Sequence, residues 1–261
     1  MLLLKYRALP KSLVSTISPP RLKRGAVAGD HTVREAVTAY RAAKIRKIRC
    51  IFADMIKAVF FDIGGVLIDL NLERCLATFK EKCGFYRITE FLDPCHEKGP
   101  ISDLEEGKID EHEFCSRIRE LSRPETTDDQ VRESLCSLLD SVKAEKVELV
   151  KELKSKGYDL FLLSNNNSVT MRYTAAEFTK VGIPFDEYFT GVFISYEMGL
   201  LKPGREIYDE AVRRSGYRAE EILFVDDSGM NIDGARLAGL NALYYDLDTS
   251  LSDTVKSYLG I

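Results

Sequence analysis

Apolar strands that alternate with amphipathic helices constrain the fold of this chain more than any other feature. The strand patterns are KAVFF, YDLFLLS, YFTGVFIS, EILFVDD and ALYYDL, and helical patterns such as VKAEKVELVKELKSKG separate them. Parallel strands require a long crossover between them, and right-handed helical crossovers cover both faces of the sheet. The alternation therefore predicts an α/β fold built on a parallel sheet.

A helical block interrupts this alternation after the first strand. Residues 72–139 contain helical patterns at LERCLATFKEKC, near DLEEG, and at DEHEFCSRIREL and DDQVRESLCSLL. Asp110 with Glu113 is similar to a capping box, and Thr127 or Asp128 is placed to cap the next helix. The predicted organisation is a basic extension over 1–54, a core over 55–71 and 140–261, and a helical insertion over 72–139.

The extension differs in charge from the rest of the chain. Residues 1–54 hold twelve Lys and Arg against three Asp and Glu, whereas the whole chain has a formal net charge of −4. Three interpretations stay open: a transit-type leader, a tail that binds nucleic acid or an anionic surface, or sequence upstream of the true start. Met55 directly precedes the first strand and favours the last interpretation. We expect the extension to be disordered or outside the native domain, and a chain that starts at Met55 to keep full activity.

Composition excludes several classes of protein. The chain has no run of eighteen apolar residues, and MLLL is too short for a secretory signal, which favours a cytoplasmic protein over a membrane or secreted one. Organelle targeting by residues 1–54 is the alternative. The acidic body has no basic stripe for nucleic acid. Six cysteines without C-x-x-C spacing are predicted to be small buried residues in a reducing compartment, with a zinc site or disulfides as the alternative.

Polar residues stand where the predicted strands end or where a loop enters a helix. They are Asp62, Ser164, Asn165, Lys202, Asp226 and Asp227. In an open parallel sheet the functional crevice lies beyond the carboxyl ends of the strands, so we expect these side chains to meet. A phosphate monoester needs a nucleophile, a divalent ion and donors for the charge of the transition state. Asp62 and Asp227 are oxygen ligands of the kind that Mg²⁺ prefers. The set predicts Mg²⁺-dependent phosphoryl chemistry on a small phosphorylated metabolite. We expect a monomer or a homodimer, and the sequence does not choose between them.

The motifs FFDIGGVLID, FLLSNNN, GLLKPGREIY and ILFVDDSGMNIDGA, between Ile56 and about Asp246, resemble those of the haloacid dehalogenase-like hydrolase superfamily, subfamily IA. The resemblance implies a Rossmann-like core with an inserted helical cap that closes over the site and selects the substrate. It also implies roles for individual residues. Asp62 matches the nucleophile that forms an aspartyl-phosphate. The other matches are phosphate binding by Ser164 and Lys202, metal binding by Asp62, Asp227 and the carbonyl of Gly64, and support by Asp226 and Asn231. Asn165, at the same strand end as Ser164, is a further candidate for substrate binding.

Gly64 departs from the usual pattern of these phosphatases. Most carry a second Asp at this position, which protonates the leaving alcohol and then activates water, a contribution of about 10²- to 10⁴-fold. One subgroup of the superfamily has an Asp-x-Gly first motif and includes α-glucose 1-phosphate phosphatases. The stretch DLEEGKIDEHEF of this chain also resembles the cap of that subgroup. An anomeric oxygen is a comparatively acidic leaving group, so a missing acid costs less there. The favoured function is therefore a sugar-phosphate phosphatase.

Two other functions stay open. A 2-haloacid dehalogenase also lacks the second Asp, but it works without magnesium, and the carboxylate pair Asp226 and Asp227 argues against it. A catalytically weak scaffold that binds metal and phosphate is the other alternative. His96 and His112, both in the helical insertion, are candidates for the missing proton transfer, with exposed or capping positions as the alternative.

Overall fold

The computed structural model describes residues 56–92 and 99–261. The expectations for residues 1–54, for Met55 and for His96 lie outside these ranges. Within them, no helix is long and apolar enough to cross a bilayer.

Five parallel strands form one sheet in the order β3-β2-β1-β4-β5. Their bounds are β1 Ala58–Phe61, β2 Asp159–Ser164, β3 Gly191–Ile194, β4 Ile222–Asp226 and β5 Asn241–Tyr244. The chain builds the sheet outward from β1 to β3, then returns to the other side of β1 to add β4 and β5. The prediction of an α/β fold with a parallel sheet is confirmed, and the switch point of its topology lies between β1 and β4.

Helices lie between the strands and in the insertion. Those of the insertion are α1 Leu72–Thr78, which continues as a π-helical turn over Phe79–Cys83, α2 Thr89–Leu92, α3 Pro100–Glu105, α4 Glu111–Glu120 and α5 Asp128–Cys136. Those of the α/β part are α6 Ala144–Ser155, α7 Ser168–Lys180, α8 Phe185–Tyr188, α9 Ser195–Met198, α10 Arg205–Ser215, α11 Gly229–Leu237 and α12 Leu251–Leu259. A 3₁₀ turn at Ala219–Glu221 precedes β4.

Both faces of the sheet are buried because alternate residues of each strand point to opposite sides. Val59 and Phe61 pack with apolar residues of α6, α7 and α12. Ala58 and Phe60 pack on the other face with residues of α10 and α11. The strands are apolar on both sides for this reason, as a parallel sheet between two helical layers requires.

The insertion has a hydrophobic cluster of its own. Phe79, Phe114 and Val131 are among its fully buried members, and Val169 of α7 joins it from the α/β part. Asp110 accepts a hydrogen bond from the Glu113 N–H at 2.8 Å, so the predicted cap of α4 is confirmed. At α5 the cap is Thr127 rather than Asp128, in a reciprocal capping box with Gln130.

The cysteines of the insertion that the structure describes are apolar packing residues, and Cys50 and Cys95 lie outside the described ranges. Cys75, Cys83 and Cys115 are buried, Cys136 is half-buried, and all four are free thiols. Burial raises the pKa of the Cys75 and Cys115 thiols to about 11, so neither is an ionised nucleophile at neutral pH. Their predicted role as small buried residues is therefore confirmed.

The sequence interpretation ended the fold at the last strand and missed α12. Ser250 caps this helix by accepting a hydrogen bond from the Asp253 N–H at 3.2 Å. Leu251, Val255 and Leu259 are spaced four residues apart and are all buried against the sheet. This spacing, preceded by a serine, was the signal in the sequence.

Candidate active site

The register between β1 and β4 brings two aspartates side by side. Phe61 pairs with Val225, and the Asp62 N–H donates to the Val225 carbonyl at 3.0 Å. Asp62 and Asp226 are the next residue of each strand, at the switch point of the sheet. Asp62 Oδ1 also accepts a hydrogen bond from the Ile63 N–H at 2.7 Å, which fixes the orientation of the carboxylate.

Lys202 joins the two carboxylates. Its Nζ lies 2.9 Å from Asp62 Oδ1 and 2.7 Å from Asp226 Oδ2. The exposed fractions are 4% for Lys202, 8% for Asp62 and 0% for Asp226, so water screens these charges little. Burial raises the pKa of Asp62, with Lys202 opposing the shift and Asp226 adding to it. Burial alone would lower the pKa of Lys202, but the two aspartates raise it, which keeps the ammonium charged.

Ser164 and Asn165 are at the end of β2, next to β1. Ser164 is buried and its hydroxyl donates to the Asn165 carbonyl at 3.4 Å. Ser164 is also close enough to Asp62 to lower the pKa of that carboxyl, although Lys202 has the larger effect in the same direction. The Asn165 amide holds the backbone of the neighbouring loop, since its Nδ2 donates to the Lys202 carbonyl at 2.9 Å and its Oδ1 accepts from the Lys202 N–H at 2.8 Å. Asn165 therefore positions Lys202, and its direct contact with substrate stays a prediction.

Asp226 is held by donors from the start of α11. The Asn231 amide lies 3.1 Å from both carboxylate oxygens, and the Ser228 N–H donates to Oδ1 at 2.8 Å. The Tyr208 hydroxyl in turn donates to the Asn231 carbonyl at 2.9 Å. Asn231 thus stabilises the charge of Asp226 as a neutral donor, and the supporting role of both residues in catalysis stays a prediction.

Asp227 completes a group of three carboxylates. One oxygen each of Asp62, Asp226 and Asp227 lies within 4.8 Å of the others. Gly65, with φ +78°, leaves the space that Asp227 occupies, because a Cβ on Gly65 would lie 2.2 Å from Asp227 Oδ2. Burial and then the charge of Asp226 raise the pKa of Asp227. A Cβ on Gly64, by contrast, would make only ordinary contacts with Leu70, at 3.5 Å or more.

The donor set fits a magnesium ion. Three carboxylates face one ammonium in a buried crevice, so the ionised group carries an excess of two negative charges that a divalent cation would balance. All the available ligands are hard oxygens, with no thiolate or imidazole among the clustered groups.

The sequence interpretation missed one carboxyl group that belongs to this crevice. Glu105, the last residue of α3, is acted on by the charges of Asp62 and Lys202. Burial, and then the charge of Asp62, raise the pKa of Glu105 to about 7, and Lys202 opposes the shift. The only sequence signal was DLEEG itself, an acidic helix end that reads as a solvated surface. His112, one of the two candidate histidines, is exposed on α4.

Comparison of the sequence with known proteins identifies a matching family and a related phosphatase. Residues 56–239 match the family model for haloacid dehalogenase-like hydrolases. The D-ribitol-5-phosphate phosphatase of Bacteroides thetaiotaomicron is 33% identical over 179 residues, which are 68% of this chain and 86% of that protein.

Two solved structures resemble the chain in three dimensions. An enzyme of this family from Bacteroides thetaiotaomicron, in complex with magnesium and inorganic phosphate, superposes with a TM-score of 0.69 at 31% identity, covering 74% of this chain and 96% of its own. A hydrolase of the same kind from Porphyromonas gingivalis gives a TM-score of 0.71 at 35% identity, covering 78% and 98%.

Proposed function

The chain belongs to the haloacid dehalogenase-like hydrolases, and we propose that it is a magnesium-dependent phosphatase that hydrolyses a small phosphorylated metabolite through an aspartyl-phosphate. The observation that carries this proposal is the buried contact of Asp62 with Lys202, at the switch point of the sheet and beside Asp227. A sugar or sugar-alcohol phosphate is the favoured substrate, because the relative from Bacteroides thetaiotaomicron acts on D-ribitol 5-phosphate. The Asp-x-Gly motif keeps α-glucose 1-phosphate among the substrates to be tested.

The proposed reaction has two displacements at phosphorus. A carboxylate oxygen of Asp62 attacks, a bond forms between that oxygen and phosphorus, and the bond to the substrate oxygen breaks with its electron pair on the leaving group. Water then attacks the aspartyl-phosphate, and the bond to Asp62 breaks with its pair on the carboxylate. Lys202 and Ser164 hold the phosphoryl oxygens in both steps, and Asn165 keeps Lys202 in place.

Asp62, Asp227 and the Gly64 carbonyl would hold the magnesium ion, with support from Asp226 and Asn231. When bound, the ion supplies the positive charge that lets an anionic phosphate approach an anionic carboxylate. Residues 72–139 would form a cap over the core of 55–71 and 140–261, and would exclude water from the site.

The proposal is tested by phosphate release from a panel of sugar, sugar-alcohol and nucleotide phosphates, with magnesium and with a chelator. We expect activity only with magnesium, at least a 10³-fold loss in Asp62→Asn, and a raised magnesium requirement in Asp227→Asn. Asp233→Asn is the matched control, since this aspartate of the last motif is exposed on α11 and pairs with Arg236.

Other results would point to the alternatives. No phosphate release from any substrate by a folded protein would favour the scaffold function. Halide release from a 2-haloacid without metal would establish a dehalogenase. An active Asp62→Asn variant would contradict the role of Asp62 as nucleophile.

A further inference from the structure

The active-site crevice receives a side chain from the helical insertion that the roles above do not use. Gly64 leaves the proposed phosphatase without the usual acid beside its nucleophile. We propose that Glu105 replaces it, as the general acid for the leaving group and the general base for the attacking water. This inference rests on the proposed phosphatase function, and it assigns a catalytic role to the insertion.

The backbone of Glu105 is fixed to the carboxyl edge of the sheet. Its carbonyl accepts a hydrogen bond from Ser195 Oγ at 2.5 Å, and Ser195 directly follows β3. Ser195 is fully buried, and its hydroxyl also accepts from the Asn166 N–H at 3.0 Å, in the loop after β2. One hydroxyl therefore ties the end of α3 to the carboxyl ends of β2 and β3, and β2 is the strand that carries Ser164 of the site.

A second close approach lies two residues further on. Gly107 has φ +71°, and a Cβ at this position would lie 2.4 Å from the Tyr196 carbonyl. Backbone thus packs on backbone with no room for a side chain. The two contacts, at Glu105 and at Gly107, hold this turn against the segment that follows β3.

The carboxyl group of Glu105 is within electrostatic range of the reacting groups. The charges that act on it belong to Asp62 and Lys202, from the end of β1 and from the loop before α10. Because burial raises its pKa to about 7, a large fraction of Glu105 keeps its proton at neutral pH, as a general acid must.

The neighbouring carboxylates of Glu106 and Glu197 interact with other side chains. Glu106 pairs with Lys108 at 2.6 Å, and Glu197 accepts a hydrogen bond from the Tyr196 hydroxyl at 2.9 Å. Glu106 therefore provides a matched control, as a carboxylate one residue away that is paired with a lysine of its own segment.

The proton is accounted for in both steps. As the bond between phosphorus and the leaving oxygen breaks, that oxygen takes the proton of Glu105 and departs as an alcohol. Glu105, now a carboxylate, takes a proton from the water that attacks the aspartyl-phosphate. Inorganic phosphate leaves, Asp62 is again a carboxylate, and Glu105 is again protonated.

The test compares an alkyl phosphate, such as a sugar-alcohol phosphate, with p-nitrophenyl phosphate. The nitrophenolate leaves without protonation, so kcat/KM, which reports the first displacement, should stay within about 10-fold of wild type in Glu105→Gln. For the alkyl phosphate we expect kcat/KM to fall by about 10²- to 10⁴-fold. Loss of the base should also slow hydrolysis of the aspartyl-phosphate, so p-nitrophenolate should appear in a burst. Glu106→Gln should behave as wild type.

Gly64 allows a rescue experiment, because a Cβ there meets only ordinary contacts. In the Glu105→Gln background, Gly64→Asp should raise kcat/KM for the alkyl phosphate by at least 10-fold relative to Glu105→Gln alone. Equal losses with both substrates, unchanged activity, or no rescue in a folded double variant would overturn the role of Glu105. A wild-type protein inactive on both substrates would instead refute the proposed phosphatase function.

Discussion

The buried contact of Lys202 with two carboxylates leads to a prediction about stability. Lys202→Met keeps an unbranched side chain of similar length but removes the charge between Asp62 and Asp226, which lie 2.9 and 2.7 Å from Nζ. At an effective dielectric constant of about 20, each contact is worth about 6 kcal/mol of gross attraction. Desolvation of the ions opposes this by several kcal/mol each, and the removal of one partner of such a pair typically costs about 3–5 kcal/mol.

The loss of stability in Lys202→Met should increase as pH rises. Lys202 is the main group that opposes the raised pKa of Asp62, so this pKa rises further in the variant. An acid whose folded-state pKa lies above its unfolded value destabilises the protein as pH rises through that window. Burial raises the pKa of Asp62 to about 7 in the wild type, so Lys202→Met should lose most stability above pH 7, where wild-type Asp62 is ionised. The loss should be smaller well below pH 7, where Asp62 is protonated in both proteins.

Urea unfolding followed by circular dichroism, in the presence of a chelator, measures the effect. With an m-value of about 2–3 kcal/mol/M, the midpoint should fall by about 1–2 M. Lys143→Met is the control: this lysine is 62% exposed in its ion pair with Asp69, and its loss should cost less than about 1 kcal/mol. The double variant with Asp226→Asn should regain about 1–3 kcal/mol relative to additive losses. A Lys202→Met protein within 1 kcal/mol of wild type, or strict additivity, would refute the reasoning.

Further predictions concern a glycine and an ion pair. Gly65→Ala should destabilise the protein and weaken magnesium binding, because its Cβ would displace the Asp227 carboxylate. Gly157→Ala is the control: at φ +88° in open space, it should show only the backbone cost of about 1–2 kcal/mol. Equal magnesium titrations of the two variants would contradict this. The Arg218 side chain is the main cause that lowers the pKa of Glu221 to about 2 from an ordinary 4.5. The stability gap between wild type and Glu221→Gln should therefore be constant above about pH 4.5 and close as pH falls toward 2; parallel curves in urea unfolding would count against it.

The sequence predicted the parts of the site that depend on strand ends. Parallel strands place their carboxyl ends on one edge, so the position of Asp62, Lys202 and Asp227 in chain order was enough to expect a shared crevice. The neighbour relation of β1 and β4 was not available from the pattern, since several strand orders satisfy the same alternation. It is this relation that sets Asp62 beside Asp226.

The sequence did not predict Glu105 as a site residue, for a different physical reason. α3 has six residues, too few for a periodic pattern to define its buried face, and the backbone of Glu105 is held near the strand ends by its contact with Ser195. Such a tertiary contact between distant segments leaves no local signal. α12, by contrast, had a readable pattern and was overlooked.

The neighbour relation of β1 and β4 also has a consequence for folding. Ala58 pairs with Ile222, and the insertion, β2 and β3 all lie between them in the chain. Contacts between such distant segments are slow to form because a long loop must close first. In refolding, the insertion can gather its own cluster while the nucleophile still lacks Asp226. Recovery of activity should therefore lag recovery of helical circular dichroism, and a nascent chain should be inactive until β4 has been synthesised.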